Sequence, residues 1–168
     1  MAGVTGKTAG VASDITDYLD AVALHYGATI TVTSGKRTPD EQGVAMFTNW
    51  IKLNRGKVYV ATTLPDADRK ALDAFFVTAK EDPKATAADK KKAEDSFKKL
   101  ATEKVGKKSK HFLGRAVDIA KTGLPTKAYT AIKLNMKEVP EGRTDIYHFE
   151  SEKVPSVTDA IKAKWPAK

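Results

Sequence analysis

Cysteine is absent from this chain of 168 residues, and histidine is scarce, with three copies. Without cysteine there is no disulfide framework, no cysteine nucleophile and no thiolate metal site, so any bound metal has to be held by imidazole and carboxylate. No run of residues is apolar for the length that spans a bilayer, which argues against a membrane span. The stretch from Met1 to Asp14 carries one lysine and no apolar core of signal-peptide length, so no secretion signal is expected. Internal repeats and low-complexity linkers are missing too. At this length the reading is one domain over residues 1–168, burying roughly 70% of the surface its unfolded form would expose.

One apparent motif fails on inspection. "GVTGKT", from Gly3 to Thr8, has two residues between its first glycine and the Gly-Lys-Thr, where a phosphate loop needs four and a preceding strand. Nucleotide binding is not expected there.

What the chain has in excess is lysine. Lys and Arg number 29 against 21 Asp and Glu, a net charge of +8, which favours an anionic partner such as nucleic acid, a membrane surface or a cell-wall polymer. Between Asp89 and Lys110 nine lysines face four acids, so most of the excess is local. That stretch lacks interleaved aromatics apart from Phe97 and has lysine and acid neighbours four apart, as on a solvated helix face. A nucleic-acid partner is therefore disfavoured.

The periodicities place the elements. Ser13 is a plausible N-cap for a helix over 14–26, where Ile15, Leu19, Val22, Ala23 and Tyr26 recur at helical spacing until Gly27. "ATITVTS" alternates as a strand ending at Ser34-Gly35. Thr38 caps a helix with Pro39 at its first position and acids in its first turn, running toward Leu53 and ending before Gly56. Leu72, Phe75, Phe76 and Ala79 mark a helix after Pro65, and Ala93, Phe97 and Leu100 another after Thr86, with Pro83 between them. "RAVDIA" reads as a buried strand, Lys127 to Leu134 as a short helix, "DIYHFE" as a strand and Val157 to Lys164 as a terminal helix.

Three residues point to chemistry. A zinc site with three protein ligands and one open position needs two or three imidazoles, often with one carboxylate, aimed at one point. His111 precedes the "RAVDIA" strand by a few residues and Asp118 lies inside it, so a sharp turn at Gly114 would bring both to one end of the strand. Ala116 shares the face of Asp118 and leaves room for a metal. An aspartate in an apolar strand costs several kcal/mol unless paired, which asks for a cation nearby. His148 lies in the second strand, among Ile146, Tyr147 and Phe149. His25, near a helix end, has the simpler role of favouring the C-terminal end of the helix dipole. A carboxylate outside the ligand set would serve as proton acceptor, and both Asp145 and Glu150 are candidates. By strand period Glu150 shares a face with His148 and Asp145 does not, so Asp145 would need a bend near Arg143-Thr144.

The pattern Ser109-x-His111-x-x-Gly114-x-Ala116-x-Asp118, followed by Asp145-x-x-His148, resembles the zinc D-alanyl-D-alanine carboxypeptidase and phage L-alanyl-D-glutamate endopeptidase family, which shares its fold with the hedgehog signalling domain. Upstream, "SGKRTPDEQ" is similar to that family's Ser-Gly-x-Arg segment with a glutamine five residues after the arginine. Lys36 stands where the family usually has an aromatic, and Tyr147 stands for its usual tryptophan. The resemblance covers about residues 13–50 and 108–151.

It implies an α+β fold, a small antiparallel sheet with flanking helices, and a zinc ion held by His111, Asp118 and His148. Asp145 would be the general base, and Arg37 would stabilise the substrate carbonyl or its oxyanion. Ser109, Gln42 and Glu150 are candidates to steady these groups. The implied activity is hydrolysis of peptidoglycan stem peptides, as carboxypeptidase or endopeptidase, with anionic wall polymer as a further partner. Such a protein, made in the cytoplasm, would reach the wall or periplasm after lysis or injection, with a secretion or immunity partner. The alternative is a non-catalytic hedgehog-like zinc module, against which Asp145 and Arg37 argue. The interval between the matched segments, about 58–107, reads as a lysine-rich helical insertion, a hairpin or lid beside the site.

Overall fold

The computed structural model describes residues 1–52, 65–104, 109–140 and 143–167. In chain order the elements are β1 (Gly3–Gly6), α1 (Ser13–Tyr26), β2 (Thr29–Ser34), α2 (Pro39–Phe47), α3 (Asp66–Phe76), α4 (Ala87–Lys104), β3 (Ala116–Ala120), α5 (Thr126–Lys133), β4 (Lys137–Glu138), β5 (Ile146–Glu150) and α6 (Asp159–Lys162). A π-helical turn follows α2 over Thr48–Lys52 and another follows α3 over Val77–Glu81. The chain forms two compact units, one of Met1–Lys36 with Leu113–Lys168 and one of Arg37–Phe112.

The first unit is a five-stranded sheet in the order β1-β2-β3-β5-β4, packed against helices. β1 and β2 are parallel and every other pair is antiparallel, so the sheet is mixed rather than antiparallel as expected. The difference comes from β1, whose glycines hide it from a propensity reading. It exists through pairing, Gly3 to Gly6 lying beside Thr29 to Val32, with the Val4 N–H donating to Asp20 Oδ1.

Alternation along the strands sorts the two sheet faces. Ile30, Val32, Val117, Ile119 and Phe149 join Ile15, Tyr18, Leu19 and Val22 of α1 and Ala128, Ala131 and Ile132 of α5 in one buried core. Tyr18 is fully buried, and its hydroxyl is satisfied on both sides, donating to the Ala131 carbonyl at 2.6 Å and accepting from Asn135 Nδ2 at 2.9 Å. Asp118 and His148 point to the opposite face, directly across from each other on β3 and β5.

α1 ends as expected, with Gly27 in the left-handed region, but its start differs. Ala12, not Ser13, is the N-cap, and no side chain caps it. The Ala12 N–H donates to the Gly114 carbonyl at 2.9 Å, so this backbone contact sets where the helix begins. Gly114 itself has φ +70°, and a Cβ there would overlap the Gly10 carbonyl oxygen. Only glycine fits that turn. The terminal helix is shorter than expected, four residues capped by the Thr158 hydroxyl.

The second unit is helical. Thr38 and Glu41 form a reciprocal capping box at the start of α2, with the Glu41 carboxylate 2.7 Å from the Thr38 N–H. The end expected near Leu53 and Gly56 lies outside the described residues. Met46 and Phe47 of α2, Leu72 and Phe76 of α3, and Phe97 and Ala101 of α4 make a separate apolar cluster. The stripes of α3 and α4 therefore close on α2 as well as on each other. Residues 58–64 and 105–107 of the expected insertion lie outside the described residues.

Candidate metal centre

Asp118 is placed by its strand. Its neighbours Val117 and Ile119 are core residues, which turns the carboxylate to the other face of the sheet, where it is 2% exposed. The β2–β3 register slips between Val32 and Ser34, opposite Asp118, and the Thr33 hydroxyl donates to the Asp118 carbonyl at 3.2 Å. Such bulges re-aim side chains beside functional sites.

His148, also buried, lies across from it. Its Nδ1 is 2.7 Å from Asp118 Oδ1 and its Nε2 is 3.0 Å from Glu150 Oε1, so the ring bridges two carboxylates. A neutral imidazole has one N–H and satisfies only one of them as donor. The second contact calls for a cation on the ring, either a proton or a metal.

His111 reaches the site from the turn that precedes β3. It is 3% exposed, its N–H donates to Ser109 Oγ at 3.2 Å, and its carbonyl accepts from the Arg37 N–H at 3.1 Å. One donor atom from each of His111, Asp118 and His148 lies within 4.8 Å of the others. In a tetrahedral zinc site with bonds of about 2.0–2.2 Å, ligand atoms sit roughly 3.3–3.6 Å apart. The group fits such an ion with small adjustments: the His148–Asp118 contact opens by less than about 1 Å, and no separation has to close by more than about 1.5 Å. Two imidazoles and a carboxylate are the donor types zinc takes when thiolate is absent. The buried group can therefore hold a metal ion.

The other expected site residues divide into two sets. Arg37 Nη1 donates to Gln42 Oε1 at 3.0 Å, which accounts for the five-residue spacing of that motif: Gln42 on the first turn of α2 orients the guanidinium. Glu150 touches His148 directly. Asp145 does not join the group. Its side chain is 60% exposed and held by Arg143 through a bidentate pair, Nε to Oδ1 at 3.0 Å and Nη2 to Oδ2 at 2.6 Å. That hydrogen-bonded guanidinium, with Lys121 adding to the field, holds the Asp145 carboxyl below the usual aspartate range. The bend at Arg143-Thr144 thus delivers Asp145 to Arg143, a partner the sequence reading missed although the Arg-x-Asp spacing was visible.

Comparison with known proteins finds no matching family model, no matching curated protein and no matching solved structure. Among the described residues no helix is long and apolar enough to cross a membrane.

Proposed function

We propose that the protein is a zinc-dependent peptidase that hydrolyses amide bonds of peptidoglycan stem peptides, with His111, Asp118 and His148 as zinc ligands. The observation that carries this reading is the buried group of two imidazoles and one carboxylate in a chain without cysteine. The resemblance of the surrounding motifs to the zinc carboxypeptidase and endopeptidase family supports it.

Zinc in a three-ligand site supplies Lewis acidity and lowers the pKa of a coordinated water toward neutrality. The chain's own residues supply the rest. Arg37, steadied by Gln42, offers charge-assisted donors to a substrate carbonyl as negative charge develops on it. Asp145 takes the proton of the attacking water and returns it to the leaving amine. Its pairing with Arg143 favours the ionised form, the one that accepts a proton. The excess of lysine draws the protein to the anionic wall.

The solvent-facing, Arg143-bound Asp145 favours a second reading, a zinc module of hedgehog type that binds without cleaving. One experiment separates the two: metal analysis of the purified protein together with mass spectrometry of purified peptidoglycan after incubation. Zinc with newly released stem-peptide fragments supports the peptidase. Zinc without any cleavage supports the binding module, and a protein that takes up no zinc overturns both.

A further inference from the structure

We infer that Glu150 is a positioning residue: it holds the proton on Nε2 of His148 and so fixes Nδ1 as the nitrogen this ring offers to a metal. The inference rests on the metal-site reading above. Side chains two apart on a strand share a face, which brings Glu150 beside the ring on β5. Its strand partner on β3 is Ala116, fully buried and with only a methyl group, and its partner on β4 is Lys137.

The geometry separates this role from two others. Nδ1 and Nε2 point out of opposite sides of the imidazole, and Asp118 occupies the Nδ1 side at 2.7 Å while Glu150 occupies the Nε2 side at 3.0 Å. A metal shared by Asp118 and Nδ1 therefore has the ring between it and the Glu150 carboxylate. Glu150 is then neither a fourth ligand nor within reach of a water at that metal, so it is not the general base.

What remains is control of the ring. A metal-binding histidine has to present a lone pair, and the hydrogen bond at its other nitrogen decides which tautomer does so. Removing the acceptor at Nε2 lets the ring turn over and lets the proton move to Nδ1, which closes the binding site. Loss of such an outer partner typically costs ~10- to 100-fold in metal affinity. Glutamine at this position keeps an oxygen for the same N–H, so it should hold affinity within about a few-fold, whereas alanine should not.

The test is cobalt(II) titration of the full chain, followed by visible absorption, for the wild type, Glu150→Ala and Glu150→Gln. Ring 15N NMR of the zinc-loaded wild type accompanies it. The expected result is Nδ1 ligation with the proton on Nε2, a ~10- to 100-fold weaker cobalt affinity for Glu150→Ala, and rescue by Glu150→Gln. The nitrogen assignment uses the wild type alone and decides the matter even if Glu150→Ala fails to fold. Ligation through Nε2, or a folded Glu150→Ala with wild-type cobalt affinity, overturns the inference and leaves the metal site standing. A wild type that binds neither cobalt nor zinc overturns both.

Discussion

On the sheet, Asp118 and His148 are an ionisable pair with side chains only 3% and 5% exposed, and their neighbours on the strands are core residues. On α4, Lys91 and Asp95 are a charged pair, 66% and 59% exposed and one helical turn apart. Exposed pairs of this kind have little effect on stability, whereas buried ionisable groups are costly unless a counter-charge or metal completes them. The difference teaches where to look for chemistry. β3 and β5 keep Asp118 and His148 where folding alone would reject them, whereas the Lys91–Asp95 pair of α4 lies in solvent and the helical unit rests on its apolar cluster.

The largest effect is expected in the helical unit. Phe97 is fully buried and packs edge-on to Phe47 with ring centroids 5.4 Å apart, so Phe97→Ala should cost roughly 3–5 kcal/mol. Urea unfolding measures the loss, and a value under about 1 kcal/mol would mean that the cluster does not hold this unit. On the sheet side, Asp118→Ala should weaken zinc by more than the ~100-fold typical of an outer partner, because a proposed ligand itself is removed. Isothermal titration with zinc reads this directly.

Asp145→Asn sharpens the functional half of the contrast. It should leave zinc affinity intact and lower peptide hydrolysis by on the order of 10²-fold, as expected for a general base. Full activity in that variant would move the base elsewhere.

A smaller effect concerns the Asp14–Arg115 pair, which ties the start of α1 to β3 while the Val154 N–H donates to the same carboxylate at 2.8 Å. The Arg115 hydrogen bonds lower the Asp14 pKa from 3.8 to about 2. A depressed carboxylate stabilises the fold fully above its unfolded value and loses that contribution as pH falls through the folded one. Thermal melts should therefore show on the order of 1–2 kcal/mol disappearing between about pH 5 and pH 2, and Asp14→Asn should flatten that part of the profile. The smallest effect belongs to the lysines of α4, of which Lys98 is half-buried against Glu94 and the others are exposed. Changing Lys90, Lys91, Lys92, Lys98 and Lys99 to glutamine should leave cleavage of a short soluble peptide unchanged and weaken binding to intact walls at low salt. Wall binding that does not change would assign these lysines to solvation alone.

Much of this was legible in the sequence, for identifiable reasons. α1 and the Thr38-Pro39 helix start have strong periodicity or capping chemistry, and β3 and β5 are short runs in which Asp118, and His148 with Glu150, break an apolar pattern. What could not be read depends on contacts distant in sequence. β1 is glycine-rich and exists only beside β2. The cap at Ala12 is set by Gly114. The closing of α3 and α4 on Met46 and Phe47 depends on how three helices meet. In the site, His111, Asp118 and His148 were visible through residue type and spacing. The contact between Glu150 and His148 agrees with the strand period, whereas the turn of Asp145 toward Arg143 is a local ion pair that spacing alone did not rank.

On the reading proposed above, the buried His111, Asp118 and His148 exist to hold a metal. The most direct measurement is the zinc content of the protein purified without chelator, by inductively coupled plasma mass spectrometry, for the wild type and His111→Ala. One zinc per chain is expected in the wild type, and its loss in the variant. A metal-free wild type that also fails to take up added zinc, or a His111→Ala that keeps zinc at full affinity, would contradict it.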